Sequence, residues 1–426
     1  MCKYSTELRK NPYFFVRRRV FALEIDFPVR HIKAPMENDR KLKICHVITR
    51  MIVGGAQENT LLTMRGHLEK GHEVVLVTGP SPGREGELLR HTGAAGGRVV
   101  VCRHLVRELS PLHDPAAALW LRGFFRREKF DVVHTHSSKA GIVGRWAARA
   151  AGVPVVVHTV HGQAFHPYQA AWRNRLYIAL ERWAARRCDR IFAVAQAMID
   201  QCVAAGVAPR EKYRTVYSGM DTAAFASVRR DPELRARLGI APEARVIVTV
   251  ARLFPLKGYE YVLPAAEKVV KEFPDTVVLV VGDGPMHDEL LAELRRRGLE
   301  ANFRFAGLVP PDSVKDYLAQ GDLLWHLSLR EGLPRAVVQA LATGIPAIGF
   351  PLDGTPEVIL DGKTGFLAAT ESVDAVADAT RTLWMNESLR RECGENGRRL
   401  VCERFDWRRM ADILEREYLE IFSDRA

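Results

Sequence analysis

Paired cysteines are missing from this 426-residue chain: the seven present, Cys2, Cys45, Cys102, Cys188, Cys202, Cys393 and Cys402, are odd in number and scattered, with no C-x-x-C spacing. In a long chain that scatter argues against a disulfide framework, offers no metal-ligand pairing, and predicts reduced thiols in a cytoplasmic protein. Long apolar runs are missing too. None approaches the roughly 18 residues that cross a bilayer. The stretch Val20-Phe21-Ala22-Leu23, behind Arg17-Arg18-Arg19, meets Glu24 too soon for a signal peptide. Low hydrophobicity is equally absent: 47% hydrophobic and 27% charged residues exclude disorder and collagen-like repetition.

Acidic side chains are scarce in one half only. The net charge of +11 divides into +17 over residues 1–220 and −6 over residues 221–426. A basic half suggests a polyanion, either nucleic acid or an anionic membrane surface, with a solvated and unpartnered surface as the equal alternative. Nucleic-acid binding rests on charge alone, because no aromatic-interleaved basic stripe or recognised motif accompanies it.

What the chain does have is alternation. From residue 42 onward, short Val/Ile-rich runs at 43–48, 73–78, 98–102, 131–134, 154–159, 190–194 and 213–217, then 245–250, 276–281, 303–306, 322–327, 346–349 and 366–367, are separated by helical patterns. Continuous apolar strands joined by helices predict buried parallel sheets, and here the pattern occurs twice. The expected organisation is an N-terminal appendage (1–41), a first Rossmann-like domain (42–218), a linker (219–243) punctuated by Asp231-Pro232 and Ala241-Pro242, a second Rossmann-like domain (244–406) and a final helix (407–426). Met36 is a conceivable alternative start. The last helix carries Met410, Ile413, Leu414, Tyr418 and Ile421 on one face and needs a partner. Two such α/β domains leave a cleft between the carboxyl ends of their sheets, where ligands bind in doubly wound folds.

Several motifs fall at those strand ends. Gly54-Gly55-Ala56-Gln57 follows the first strand and lets backbone approach a ligand at a helix N-terminus, although a tight turn explains it almost as well. His134-Thr135-His136-Ser137-Ser138-Lys139-Ala140-Gly141 and His158-Thr159-Val160-His161-Gly162 gather imidazoles at the edge of one sheet. No carboxylate or cysteine joins them at ligand spacing, so hydrogen-bonding histidines are favoured over metal ligands, with His161 expected to touch substrate. Arg252 and Lys257 flank a loop before a helix near Gly258, a site suited to a diphosphate. Gly282-Asp283-Gly284-Pro285 suits a cleft lip, with Asp283 expected as a helix cap. In Ser328–Leu341 a loop carrying Glu331 leads into a helix beginning near Pro334, with Gln339 further along it. A buried carboxylate beside an anion is costly unless it binds something.

Together and in this order these motifs resemble the retaining glycosyltransferases of family four, over about residues 42–422. The resemblance implies the GT-B fold, two Rossmann-like domains facing across a cleft, with the final helix crossing back onto the first. It implies Arg252 and Lys257 on the donor diphosphate, Glu331 on the hydroxyls of the donor sugar, the amides of Gly332 and Leu333 beside sugar and phosphate, and position 339 at the nucleotide ribose. Gly54 and Gly55 are implied as the glycine loop beside the diphosphate and acceptor, and His161 as the histidine near the transferred sugar, while Gly282 at the cleft lip is expected to join the donor site. Gln339 stands where the family has a second glutamate, which removes a charge while keeping a hydrogen-bonding group. The segment with His134, Ser137, Lys139 and Gly141 is typical of members that build surface polysaccharides.

The implied reaction is metal-independent transfer of a hexosyl or N-acetylhexosaminyl group from a nucleotide-diphosphate sugar to a hydroxyl acceptor, lipid-linked or polysaccharide, with retention by same-face attack. No cofactor is expected beyond the nucleotide sugar as co-substrate. A sugar-nucleotide epimerase on the same fold and a non-catalytic sugar-nucleotide-binding subunit remain the alternatives. With a lipid-linked acceptor, the basic clusters Arg122, Arg126, Arg127 and Lys129, and Arg173, Arg175, Arg182, Arg186 and Arg187, are expected to dock the first domain on anionic lipid at the inner face of the membrane, at about 1 kcal/mol per residue.

Overall fold

The computed structural model describes residues 40–52, 54–80 and 97–425. The appendage expected over 1–41, apart from its last two residues, lies outside them, as do Cys2 and Met36. Among the described residues thirteen strands form where Val/Ile-rich runs predict them: β1 (Lys43–Ile48), β2 (Glu73–Thr78), β3 (Arg98–Val101), β4 (Val132–His136), β5 (Val155–Val160), β6 (Arg190–Ala193), β7 (Tyr213–Thr215), β8 (Arg245–Val250), β9 (Thr276–Val281), β10 (Phe303–Gly307), β11 (Leu323–His326), β12 (Ala347–Gly349) and β13 (Gly365–Leu367). They build two all-parallel sheets, ordered β3-β2-β1-β4-β5-β6-β7 and β10-β9-β8-β11-β12-β13. The fold is α/β, two doubly wound Rossmann-like sheets. Strand order reverses between β1 and β4 and again between β8 and β11, and loops leaving these strands diverge to open a crevice.

One sequence expectation needs correcting. The histidine segments begin inside β4 and β5 rather than after them, so that His134, His136 and His158 are buried in the sheet, and of the four imidazoles His161 alone follows its strand at the edge. A strand tolerates these polar residues because they find partners. His134 Nδ1 and Nε2 each lie 2.6 Å from a hydroxyl, those of Tyr418 and Thr159, and His158 Nδ1 lies 3.0 Å from Thr135 Oγ1. A second correction concerns Asp283, whose Oδ1 accepts from the Gly284 amide at 2.7 Å, while the helix it was expected to cap begins at His287 without a side-chain cap.

Residues 219–243 carry two short helices, Thr222–Ala226 and Pro232–Arg237, each started by an aspartate that accepts a backbone amide (Asp221, Asp231). Buried Arg235 ties this segment to the second sheet by donating to the carbonyls of Gln320, Ala241, Pro242 and Ala244. The chain passes here twice: the Met220 amide donates to the Phe405 carbonyl at 2.8 Å, and the Trp407 amide to the Met220 carbonyl at 3.2 Å.

The helix Trp407–Ser423 then packs on the first sheet. Trp407, Met410, Leu414, Tyr418 and Ile421 are buried with Ile44, Val132, Val155, Val157 and Phe192. The heptad-like apolar face legible in the sequence thus covers strands β1, β4, β5 and β6, and Tyr418 inserts its hydroxyl against His134. Tyr418→Phe should leave the His134 Nδ1 without its partner in a fully buried position and cost about 1–3 kcal/mol, measured as a lower urea midpoint with an unchanged slope. Among the described residues no helix is long and apolar enough to cross a membrane.

Candidate active site

The loops leaving the two sheets enclose a cleft of about 640 Å³. All ten residues singled out from the sequence line it: Gly54 and Gly55 after β1, His161 after β5, Arg252 and Lys257 after β8, Gly282 after β9, and Glu331, Gly332, Leu333 and Gln339 after β11. Both topological switch points therefore contribute, the first through Gly54 and Gly55, the second through the Arg252–Lys257 loop and the Glu331 loop.

The second switch point concentrates the charge. Lys257 Nζ lies 2.6 Å from Glu331 Oε1, with the two side chains 28% and 20% exposed. Burial raises the Glu331 carboxyl, but Lys257 and His326 outweigh it and hold the group below the usual carboxylate range. His326, buried at the end of β11, has Nε2 3.6 Å from the same oxygen. Its ring is kept neutral chiefly by burial, helped by Lys257 and opposed by Glu331, with a pKa lowered to about 4. The Glu331 amide donates to Asp353 Oδ2 at 2.7 Å, and Ser328 Oγ donates at 3.1 Å to the Leu256 and Arg330 carbonyls, tying the two loops together. The Arg252 guanidinium sits 4.8 Å from the centre of the Phe254 ring. The result is an ionised carboxylate and two cations at strand ends facing the glycine loop of the other sheet.

Contacts across the cleft fix how closely the two sheets approach. A Cβ on Gly332 would come within 2.4 Å of the His161 carbonyl oxygen, so the glycine permits direct backbone contact between the two loops. The Glu357 carboxylate caps the helix Gln196–Ala204 from the opposite side, accepting the amides of Gln196 at 2.8 Å and Ala197 at 2.9 Å. Arg330 donates to the Gln163 carbonyl.

Sequence reasoning missed Arg335. Its guanidinium reaches across the cleft to Glu58 Oε2 at 2.6 Å and to Ser218 Oγ at 3.2 Å, and it fills the space that a side chain on Gly55 would need. A signal was present: a cation in the first turn of a helix opposes the helix dipole unless an anion answers it, and Arg335 opens the helix Arg335–Thr343. His326 was missed as well, as the single titratable residue at the end of an apolar strand.

The histidines form a connected group. His161 Nε2 lies 3.0 Å from His136 Nδ1, and His136 Nε2 lies 3.0 Å from His46 Nδ1. Burial keeps His46, His134 and His136 neutral, and His161 is lowered to about 3 by burial and then by the charge of Arg335. Among the described residues, His46, His134 and His136 bring nitrogens within 4.8 Å of one another. Both nitrogens of His134 are already committed to hydroxyls, so a metal taking either one would have to displace a 2.6 Å hydrogen bond. Lys139, in the same segment, is only 9% exposed and pairs with Asp114 Oδ1 at 2.5 Å.

Facing doubly wound sheets with a cation-lined cleft at their carboxyl ends define the GT-B class. Residues 54–219 match the glycosyl transferase 4-like domain, and residues 230–400 the family described as glycosyl transferases group 1. The chain is 30% identical over 348 residues to UDP-Gal:alpha-D-GlcNAc-diphosphoundecaprenol alpha-1,3-galactosyltransferase of Escherichia coli, covering 80% of this chain and 87% of that one. It is 28% identical over 359 residues to N-acetyl-alpha-D-glucosaminyl L-malate synthase of Bacillus anthracis, covering 84% and 91%. In structure it is similar to Anabaena HepE in complex with UDP-glucose, with a TM-score of 0.75 over 90% of this chain and 100% of that one, at 21% identity. The chain belongs to family four of the glycosyltransferases and is a glycosyltransferase acting on nucleotide sugars.

Proposed function

We propose that this enzyme transfers a hexosyl or N-acetylhexosaminyl group, with retention of configuration, from a nucleotide-diphosphate sugar to a hydroxyl of a lipid-linked or polysaccharide intermediate. The observation that carries this reading is the Lys257–Glu331 pair beside Arg252 at the second switch point, facing His161 and the Gly54-Gly55 loop across the cleft. The leaving diphosphate gains negative charge in the transition state, and preorganised cations stabilise it there without reorganisation. Arg252 and Lys257 fill that role, so the reaction needs no metal. Glu331, ionised and held by Lys257, takes the hydroxyls of the donor sugar. The Gly332 and Leu333 amides lie beside sugar and phosphate, Gln339 holds the ribose and Gly282 forms the cleft lip. The relatives from E. coli and B. anthracis are, by name, transferases of galactose and of N-acetylglucosamine, which supports the sugar class, and the diphosphoundecaprenol in the first name supports a lipid-linked acceptor.

Retention requires that the new bond form on the face the nucleotide leaves, with the acceptor hydroxyl's proton passing to a departing phosphate oxygen. Proton NMR of the first-formed product, in the presence of EDTA, should show the anomeric configuration of the donor; an inverted product, or activity lost to EDTA, would contradict the assignment.

The first sheet's basic surface supports docking on anionic lipid at the inner face of the membrane. The helix Ala171–Ala185 exposes Trp172 (62%), Leu176 (43%) and Trp183 (38%) among arginines, with Arg173 over Trp172 and Arg187 over Trp183. Apolar rings flanked by cations suit a headgroup region. In a low-salt sedimentation assay the protein should bind phosphatidylglycerol vesicles and leave phosphatidylcholine vesicles in solution, with Trp172→Ala and Trp183→Ala together weakening binding about tenfold. Equal binding to both vesicle types would defeat the docking surface.

A further inference from the structure

A row of imidazoles leads from the cleft into the interior. His161 lines the cleft, while His136 on β4 and His46 on β1 lie fully buried behind it, under the helices Gly55–Glu69 and Trp407–Ser423. His67, on the first of these helices, stacks on the His46 ring with centroids 5.6 Å apart and meets Tyr418 of the second at 5.3 Å. Two hydrogen bonds of 3.0 Å join the row, from His161 Nε2 to His136 Nδ1 and from His136 Nε2 to His46 Nδ1. The far end, His46 Nε2, has no partner among the described residues.

A neutral imidazole carries one N–H and one lone pair. Once all three rings are neutral, both hydrogen bonds must run in the same sense, and the tautomer of His161 is tied to those of two residues that never touch the ligand. Only two arrangements exist. In one, every ring is protonated at Nε2, His161 donates inward and its Nδ1 is bare. In the other, every ring is protonated at Nδ1 and His161 directs an N–H toward the cleft.

The charge of Arg335, a fellow lining residue, acts on His161 from the cleft. A cation favours a lone pair facing it over an N–H, and the Nε2–H form is also the tautomer that imidazole prefers in water. Both considerations select the first arrangement, which leaves the His46 Nε2–H as the unpartnered end.

We propose that His136 and His46 are positioning residues that hold His161 as the Nε2–H tautomer, leaving a bare Nδ1 to accept a hydrogen bond from a hydroxyl of the bound sugar. The identity of that ligand rests on the proposed function; the tautomers do not.

The test reads the ring nitrogens of the free enzyme. Full-length protein labelled with 15N-histidine and held near neutral pH should show His161, His136 and His46 each protonated at Nε2. Scalar coupling across both N–H···N hydrogen bonds should connect the three rings. His136→Phe keeps a ring in place but removes the partner of His161 Nε2, and the His161 signal should then divide between Nε2–H and Nδ1–H forms. An Nδ1–H signal for His161 in the unsubstituted protein, absence of the cross-bond couplings, or a folded His136→Phe protein with the single tautomer unchanged would overturn the proposal. Should that variant not fold, the couplings in the unsubstituted enzyme decide alone. Failure here would leave sugar transfer untouched, and failure of sugar transfer would leave the tautomers as they are.

Discussion

Lys257→Ala should lower kcat/KM for the nucleotide-sugar donor by about 10²- to 10³-fold, the usual effect of removing one preorganised group that stabilises developing negative charge. Two consequences of the same substitution combine. The departing diphosphate loses a cation, and Glu331, 2.6 Å from Lys257 and mostly buried, loses the partner that holds its carboxyl ionised. Burial then raises the Glu331 carboxyl, opposed less strongly by Ser328 and by His326, itself largely neutral above about pH 4. The activity of the variant should therefore depend on pH in a range where the parent enzyme is flat, falling as pH drops and Glu331 takes up a proton. Lys257→Arg should recover part of the rate, since the charge returns on a planar fork of different reach. Initial rates across pH 5–8 for the three proteins check this; a Lys257→Ala enzyme within threefold of the parent would remove Lys257 from the donor site.

The second large effect is on acid stability. Burial lowers the pKa of His46, His67, His134, His136, His158 and His161, so all six are neutral in the folded protein at pH 7 and below. In the unfolded chain the same groups titrate near 6.5. Above that pH neither state binds the protons and the buried rings cost nothing by linkage. Below it the unfolded state binds protons that the folded state refuses, so stability is lost as pH falls from about 6.5 toward about 3, where His46 and His161 are protonated in place. Each such group removes about 1.4 kcal/mol per pH unit. A handful of them reach the whole stability of an ordinary protein, about 5–15 kcal/mol, within two units. Circular dichroism should show the melting temperature dropping steeply below pH 6.5, with cooperative unfolding at 25 °C before pH 4.5. Carboxylates held low, such as Glu415 at about 2, act only at lower pH, so the onset separates the two causes. A melting temperature constant from pH 7 to pH 5 would show that these histidines are hydrated or charged.

Much of this architecture was legible in the sequence because its signals are local. Runs such as Thr276–Val281 (TVVLVV) are too apolar and too β-branched for anything but a buried strand, and the apolar face of Trp407–Ser423 announces a packing partner. The residues lining the cleft were legible for a related reason: in a parallel sheet the carboxyl end of every strand points to the same edge, so motifs just after strands converge without knowledge of their neighbours. What stayed hidden depends on distance in sequence. Strand order brings His46 of β1 beside His134 of β4, a pairing across 88 residues that no periodicity encodes. The same is true of Arg335 reaching Glu58 and of Glu357 capping Gln196. The histidines of β4 and β5 misled because polar residues usually end a strand, whereas here Tyr418 and Thr159 satisfy His134 inside it.

Charge acquires a sharper meaning from the fold. In the proposed reading the acidic second half holds the donor through local cations, Arg252 and Lys257 in the cleft lining, whatever its net charge, while the exposed tryptophans of Ala171–Ala185 among its arginines are the basic first half's proposed lipid surface.

The most direct test of the central claim is transfer of label from a panel of radiolabelled nucleotide sugars into a lipid-linked sugar acceptor by the purified enzyme. The account predicts that one donor labels the lipid fraction, that nucleotide diphosphate appears only when the acceptor is present, and that Lys257→Ala suppresses both. Release of nucleotide without acceptor, conversion of the donor into its epimer, or undiminished labelling by Lys257→Ala would contradict it.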